Sequence, residues 1–375
     1  MSKNGENIYL RRDGRWEGRY ICGRKSNGKP QYCSVYGYSR ESVSKKLAFL
    51  REQQEIKLLS QCTVTVKDIS AQWLINCRAD VKVSTYERYH LLIEKHIVPE
   101  LGELMIHELT GERLKVFLNE KRTRGRLDGR GGLAQKTVND IHVLIKSIIK
   151  YAVHEYDCHV DGKLSDVKIS TKGMGRGKIE VFSENETAKL TSRILENPSL
   201  PVLGYLLGLD IGMRIGEICA LKCQDFDFQE GTLRIRRTVI RINHGGYTTL
   251  EIQLPKTENS ERELPLTAKH ISLLKACMAD WDSDVFVFTG KPDKPLDPRT
   301  MQYRFRRFLE SLDISPRGFH TLRHSFATRS IERGMDVKTL SEILGHKNVQ
   351  TTMQMYVHPS IDMKRRGVEL ASSVA

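Results

Sequence analysis

His320-Thr321-Leu322-Arg323-His324, then Leu344-Gly345-His346, then Tyr356 ten residues further on, form the stretch that decides how this chain is read. On an α-helix, positions 320, 323 and 324 share one face, which sets an Arg between two His. Tyr356 is the only Tyr after Tyr303. Upstream lie Gly212-Met213-Arg214-Ile215-Gly216-Glu217 and Pro255-Lys256-Thr257. Cutting a phosphodiester by transesterification requires a nucleophile, cations at the non-bridging oxygens, a proton acceptor and a proton donor for the leaving alkoxide. Arg214 and Arg323 bring paired N–H donors that fit phosphate oxygens. Lys256, His320, His346 and Tyr356 supply the other parts. A free Tyr has a pKa near ~10, so Tyr356 needs a base or a field of cations beside it.

Composition agrees with a polyanionic partner. The formal charge is +14, and residues 1–60 alone hold thirteen Lys/Arg against six Asp/Glu. A solvated basic surface would look the same, so the motifs must decide. At 375 residues two or three domains are expected. No apolar run approaches the ~18 residues of a membrane span, and Met1–Glu6 lacks a signal-peptide stretch, which makes the cytoplasm the expected location. The eight Cys contain no C-x-x-C pair; Cys219 and Cys223 could be zinc ligands, but no second pair completes a set. Buried reduced thiols are the expectation.

Working back to the N-terminus, residues 1–60 read as three strands and a helix. Asp13-Gly14 and Asn27-Gly28 mark turns, and Ser39 to about Leu59 is helical. Arg11, Arg12, Arg15, Arg19, Arg24 and Lys25 interleave with Tyr9, Trp16 and Tyr20. One face of such a sheet packs on its helix and the other can enter a DNA groove. About half of the aromatics should belong to the small core. Residues 63–165 read as a four-helix domain. Its helices run over Val66–Cys77, from a Ser84–Glu87 capping box to about His96 with a break at Pro99, over Gly111–Lys121, and over Gln135–Tyr156. Arg122, Arg124, Arg126 and Arg130 crowd the loop before the last helix, as a phosphate-seeking loop or a merely irregular one.

Residues 166–180, with Gly173, Gly175 and Gly177, read as a flexible basic linker. Residues 181–375 open on a Ser183–Glu186 capping box and are mainly helical. A β region from Thr232 to Pro255 interrupts them, and Asp297-Pro298 starts a later helix. The expected class is a multidomain protein, mainly α with small β parts.

At these residues the chain resembles the tyrosine recombinase (phage-type integrase) family, most of all the integrases of conjugative transposons. His320-x-x-Arg323, Leu344-Gly-His346 and Thr351-Thr-x-x-x-Tyr356-x-His358 reproduce its C-terminal signature, and Gly212–Leu221 resembles its first Arg motif. Lys256 looks like its hairpin Lys. Thr85-x-x-x-Tyr89 through Pro99-x-Leu-Gly102 is similar to its core-type DNA-binding domain, and residues 1–60 look like an arm-type one.

The resemblance implies a mixed α/β catalytic domain in which Tyr356 attacks a scissile phosphate and Arg214 and Arg323 clamp it. Lys256 would protonate the leaving 5′-oxygen, His320 assist proton transfer at Tyr356, and His346 bond the phosphate. Glu217 would support the site. It further implies double-stranded DNA with core-type and arm-type sites, a homotetramer, a Holliday junction, no cofactor and no metal. An excisionase and a host DNA-bending protein are candidate partners, and the tail after Ile361 could dock on a neighbouring subunit. Three rival readings remain: a zinc hydrolase on His320-x-x-x-His324, which lacks the zincin Glu at Thr321; a type IB topoisomerase; and a DNA binder without chemistry.

Overall fold

The computed structural model describes residues 7–24, 30–59, 63–158, 160–168, 179–254, 261–278 and 281–356, together with 365, 368, 369 and 372. The Asn27-Gly28 turn, residues 169–178 of the linker, Lys25, Lys256 and most of the tail lie outside them. The chain divides into two compact units, Met1–Lys172 and Gly173–Ala375.

In the first unit, strands β1 (Ile8–Leu10), β2 (Trp16–Arg24) and β3 (Pro30–Gly37) form an antiparallel sheet in sequence order. The Asp13-Gly14 turn joins β1 to β2, in the register Ile8↔Gly18. Helix α1 (Arg40–Leu59) lays Val43 and Leu47 on the sheet against Ile8, Trp16, Tyr20 and Val35. Strand alternation sends Glu17 and Arg19 to the opposite face. The aromatics split as expected: Trp16 and Tyr20 join the small core, while Tyr9 stays exposed.

A second core is helical. Helix α2 (Val66–Cys77) starts on a Thr65–Asp68 capping box. Helix α3 (Val83–Leu92) starts on Lys82, whose ammonium has no acceptor with which to cap it, and Ser84 lies inside the helix, so the expected Ser84 box does not form. Nor does Pro99 break the chain. A π-helical turn, Ile93–Ile97, leads directly into α4 (Val98–Leu101), where Pro99 sits in the first turn and needs no N–H partner. Helices α5 (Gly111–Arg124) and α6 (Gln135–Glu155) complete the bundle. Val138, Ile141, Leu144, Ile145 and Ile148 form the buried stripe of α6.

The second unit is built around α8 (Leu200–Asp210), which is apolar all round and buried. Helix α7 (Glu184–Glu196) precedes it on the expected Ser183–Glu186 box, and α9 (Ile215–Cys219) follows. Strands β4 (Phe226–Asp227), β5 (Thr232–Ile235) and β8 (Arg262–Pro265) pair antiparallel, and β6 (Thr238–Asn243) with β7 (Thr248–Gln253) forms a separate hairpin. Helices α10 (Ala268–Met278) and α11 (Pro298–Glu310, capped by Asp297) lead to the quoted stretch. That stretch forms α12 (His320–Glu332), α13 (Val337–Leu344) and α14 (Val349–Tyr356). Tyr205, Phe305 and Phe319 pack tilted and edge-on at the centre of the main core, and Tyr356 belongs to a smaller one with Ala327, Ile331, Leu340 and Leu344.

Cys77, Cys219, Cys223 and Cys277 are free thiols, while Cys33 and Cys158 are disulfide-bonded, against the expectation of reduced thiols throughout. Among the described residues no helix is long and apolar enough to cross a membrane.

Ile141 is fully buried in the helical core. Ile141→Ala should therefore cost about 2–5 kcal/mol in urea unfolding, and a loss well under ~1 kcal/mol would contradict this packing.

Candidate active site and DNA-facing surfaces

Two left-handed glycines bring the quoted motifs together. After α8 the chain turns at Gly212 (φ +73°), where a Cβ would stand 2.5 Å from Phe326 Cδ1. After α13 it turns at Gly345 (φ +63°), which caps that helix. Both turns present carbonyl oxygens to guanidinium groups. Arg323, only 2% exposed, donates through Nη1 to Gly212 O (2.7 Å) and through Nη2 to Leu344 O (2.7 Å). Arg214 donates through Nη2 to Gly345 O at 2.9 Å.

Arg214 stands at the N-cap of α9, where free amides would favour an anion. Glu217 already takes that place, accepting from the Arg214 backbone N–H at 2.9 Å and from Nη1 at 2.8 Å. Its other partner is Arg262 on β8, whose Nη1 and Nη2 reach the two carboxylate oxygens at 3.0 and 2.8 Å, and whose Nε donates to Ile343 O at 2.7 Å. Burial would raise the Glu217 pKa, but Arg262 and Arg214 outweigh it and hold the carboxyl at about 2. One buried carboxylate thus ties α9, β8 and, through Arg262, the end of α13.

The same crowding keeps the imidazoles neutral. Burial, then Arg323, Arg214 and Arg262, push His346 down to about 4. Its Nε2 accepts from Arg323 Nη2 at 2.9 Å, so the ring proton sits on Nδ1 and points to Thr352 Oγ1 at 2.8 Å. Burial and the charge of Arg214 lower Arg323 itself to about 9, which leaves it charged at neutral pH. His320, at the exposed start of α12, is lowered by desolvation, Arg323 and Arg214, an effect its exposure tempers.

Tyr356 is buried, and its pKa is raised by burial while Arg323 and Arg214 pull it back. Its hydroxyl lies 2.7 Å from Nδ1 of His324. The expected neighbour, His320, makes no such bond among the described residues. It sits one helical turn earlier, and its ring stands edge-on to that of His324 at 5.9 Å. The structure therefore gathers Arg214, Arg323, His346 and Tyr356, with His320 at the margin. Lys256 lies outside the described residues.

Two residues were missed in the sequence. Arg262 lay in Glu261-Arg-Glu with nothing local to mark its reach to Glu217. His324 was visible as the i+4 partner of His320, and only the direction of α14 selects it.

The expected DNA contacts are exposed but partly tied down. On the sheet, Arg11 and Arg19 each bond Glu17 at 3.0 Å, and Ser34 donates to the same carboxylate at 2.8 Å. These bonds hold that carboxyl at about 2. Arg19 lies over the Tyr9 ring, and Arg11 and Arg15 over that of Tyr36. Arg12 is exposed in the turn and Arg24 ends β2. In the helical unit Arg122 bonds Asn119, Arg124 bonds Glu120 and Arg126 bonds Asp128, while Arg130 is exposed. The loop is therefore locally braced, with its cations facing solvent.

Residues 180–362 match the phage integrase family, and residues 65–122 match the phage integrase N-terminal SAM-like domain. The chain is 28% identical over 374 residues to a XerC-like tyrosine recombinase of Caldanaerobacter subterraneus subsp. tengcongensis, covering 92% of this chain and 93% of that one. It is 25% identical to the ICEBs1 integrase of Bacillus subtilis, over 90% of each chain. In fold it is similar to the Tn1549 transposon integrase solved with a circular intermediate DNA, at TM-score 0.65 and 22% identity, over 82% of this chain and 100% of that one. It is also similar to lambda integrase in a tetramer on a Holliday junction, at TM-score 0.57 and 16% identity, over 96% and 99%. The fold is that of enzymes that cut and rejoin DNA strands. The chain belongs to the phage integrase family, the tyrosine recombinases.

A free imidazole binds its proton below about 6.5, and His346 in the fold does so only below about 4. The unfolded chain takes up more protons in that window, so this contribution to stability is full above pH 6.5 and is lost as pH falls toward 4. Urea midpoints should decline across the window, and His346→Gln should flatten the decline; an unchanged slope would contradict the burial of a neutral ring. Arg262→Ala should cost about 3–5 kcal/mol by the same measurement, since it removes one partner of a buried ion pair.

Proposed function

We propose that the protein is a site-specific DNA recombinase that integrates and excises a mobile element of the conjugative-transposon kind. The observation that carries this is the Tyr356 hydroxyl, set against an imidazole and within the field of Arg323 and Arg214. Tyr356 attacks the scissile phosphorus. The tyrosyl O–P bond forms, the P–O5′ bond breaks, and a 3′-phosphotyrosine and a free 5′-hydroxyl result. The bond energy stays in the phosphotyrosine, so the exchange calls for neither ATP nor metal.

Arg214 and Arg323 take the non-bridging oxygens, and their carbonyl anchors fix the guanidinium groups before DNA arrives. His346 shares Arg323 with the phosphate, and it bonds the phosphate in turn once its ring proton is carried on Nε2 rather than on the Nδ1 that faces Thr352 in the free protein. Lys256 protonates the leaving 5′-oxygen. His320 supports proton transfer from the start of α12. Glu217 positions Arg214 rather than reacting.

In this reading residues 1–60 hold arm-type sites with Arg11, Arg12, Arg15, Arg19, Arg24 and Lys25. Residues 63–165 hold core-type sites with Arg122, Arg124, Arg126 and Arg130. Residues 166–180 link these to a catalytic domain over 181–375. The protein acts in the cytoplasm as a homotetramer that passes DNA through a Holliday junction, with an excisionase and a host DNA-bending protein as partners.

The test is covalent trapping. Purified protein is mixed, without metal, with labelled duplexes pooled from the element ends and host genome, then quenched in SDS. A labelled protein band is expected from the wild type and none from Tyr356→Phe; a band of equal strength in that variant refutes the assignment. Arg214→Lys should bind the same DNA in a gel shift yet form the adduct about 10²–10³ times more slowly, because Lys cannot make the paired contact.

A further inference from the structure

The phenol of Tyr356 meets an imidazole outside the seven residues given roles above. His324 Nδ1 lies 2.7 Å from Tyr356 Oη, with the two rings tilted at 48° and their centroids 5.7 Å apart. His324 lies on α12, one residue after Arg323 and one turn after His320. The helix that clamps the phosphate thus also carries the group touching the nucleophile.

The direction of this hydrogen bond follows from the neighbours. A guanidinium only donates, and that of Arg323 favours the phenolate from beside the phenol oxygen. The phenol proton is then left for His324. Burial, His320 and Arg323 all disfavour the imidazolium, so His324 is neutral and has one nitrogen free to accept.

We propose that His324 is the general base of strand cleavage, taking the Tyr356 phenol proton on Nδ1 as the tyrosyl oxygen bonds to phosphorus. The inference rests on the reading of Tyr356 as the nucleophile. The P–O5′ bond breaks in the same step, and the leaving oxygen takes its proton from Lys256. On rejoining, a 5′-hydroxyl attacks the phosphotyrosine and gives its proton back to Lys256, the tyrosyl O–P bond breaks, and His324 returns its proton to the departing phenolate. The groups facing His324 are His320 and Arg323 on its own helix and Tyr356 on α14, with His346 and Arg214 nearby. An imidazolium among these cations is unfavourable until a phosphate supplies negative charge. Proton transfer is thereby tied to the presence of the scissile bond, which guards against activating Tyr356 on an empty site.

The test uses the full chain and the duplex recovered with the covalent adduct. It is prepared with the ordinary 5′-oxygen at the scissile bond and, separately, with sulfur there, since a thiolate leaves without a proton. His324→Ala and His324→Gln should each slow single-turnover adduct formation by about 10²–10⁴ on both substrates, with urea midpoints showing that they fold. Gln keeps a hydrogen bond to the phenol but has no basicity, so it separates holding Tyr356 from deprotonating it. Lys256→Ala should be slow on the oxygen substrate and restored on sulfur. The wild-type rate should fall as pH drops through a pKa below the usual imidazole value, and His324→Gln should lose that limb. A Gln variant within about threefold of wild type, or sulfur rescue of His324→Ala, overturns the proposal. A wild-type chain that forms no adduct overturns the reading of Tyr356 itself, a separate and distinguishable failure.

Discussion

The site depends on a buried guanidinium that, among the described residues, is bonded to no carboxylate. Arg323 is held by the carbonyls of Gly212 and Leu344 and by a neutral imidazole. Burying a charge is costly unless dipoles or ions compensate it. Carbonyl dipoles offset the desolvation while leaving the full positive charge in place, where a carboxylate would cancel it. The cost is met by geometry: two turns must point their oxygens at one helix, and glycines in left-handed conformations make both turns.

The one buried carboxylate nearby acts as a tie. Glu217 bonds Arg214 and Arg262 at once, so the three side chains carry a net positive charge even before Arg323 is added. Its reach across α9, β8 and, through Arg262, the Ile343 carbonyl fixes the strand beyond the Lys256 segment to the same frame as Arg214. Burial, aided by the surplus positive charge, keeps the imidazoles neutral, and the same charge pulls against the burial that raises the Tyr356 pKa. A site so arranged is under electrostatic tension that an anion relieves, which in the proposed reading makes chemistry at Tyr356 conditional on DNA.

Much of this was legible in the sequence, where local chemistry decides local structure. Asp13-Gly14, Ser183 to Glu186 and Asp297-Pro298 each mark an element end by a hydrogen bond available within four residues. The spacing of His320, Arg323 and His324 fixed their shared face. The sequence misled at Ser84 and Pro99, because Lys82 entered α3 uncapped and a π-turn carried the helix past the proline. Long-range partners could not be read: Arg262 reaches Glu217 across 45 positions and His324 reaches Tyr356 across 32. The pairing of Arg11 and Arg19 with Glu17 was hidden likewise, since alternation gives the face but not the bonds upon it.

In the proposed reading these features serve a phenol that becomes covalently joined to DNA among the cationic side chains of this family's fold. The most direct measurement is to digest the trapped protein–DNA adduct with trypsin and sequence the peptide that carries the nucleotide. The nucleotide should map to Tyr356, within the peptide spanning residues 348–364. Attachment at any other residue, Tyr303 included, would contradict the central claim that Tyr356 is the attacking group.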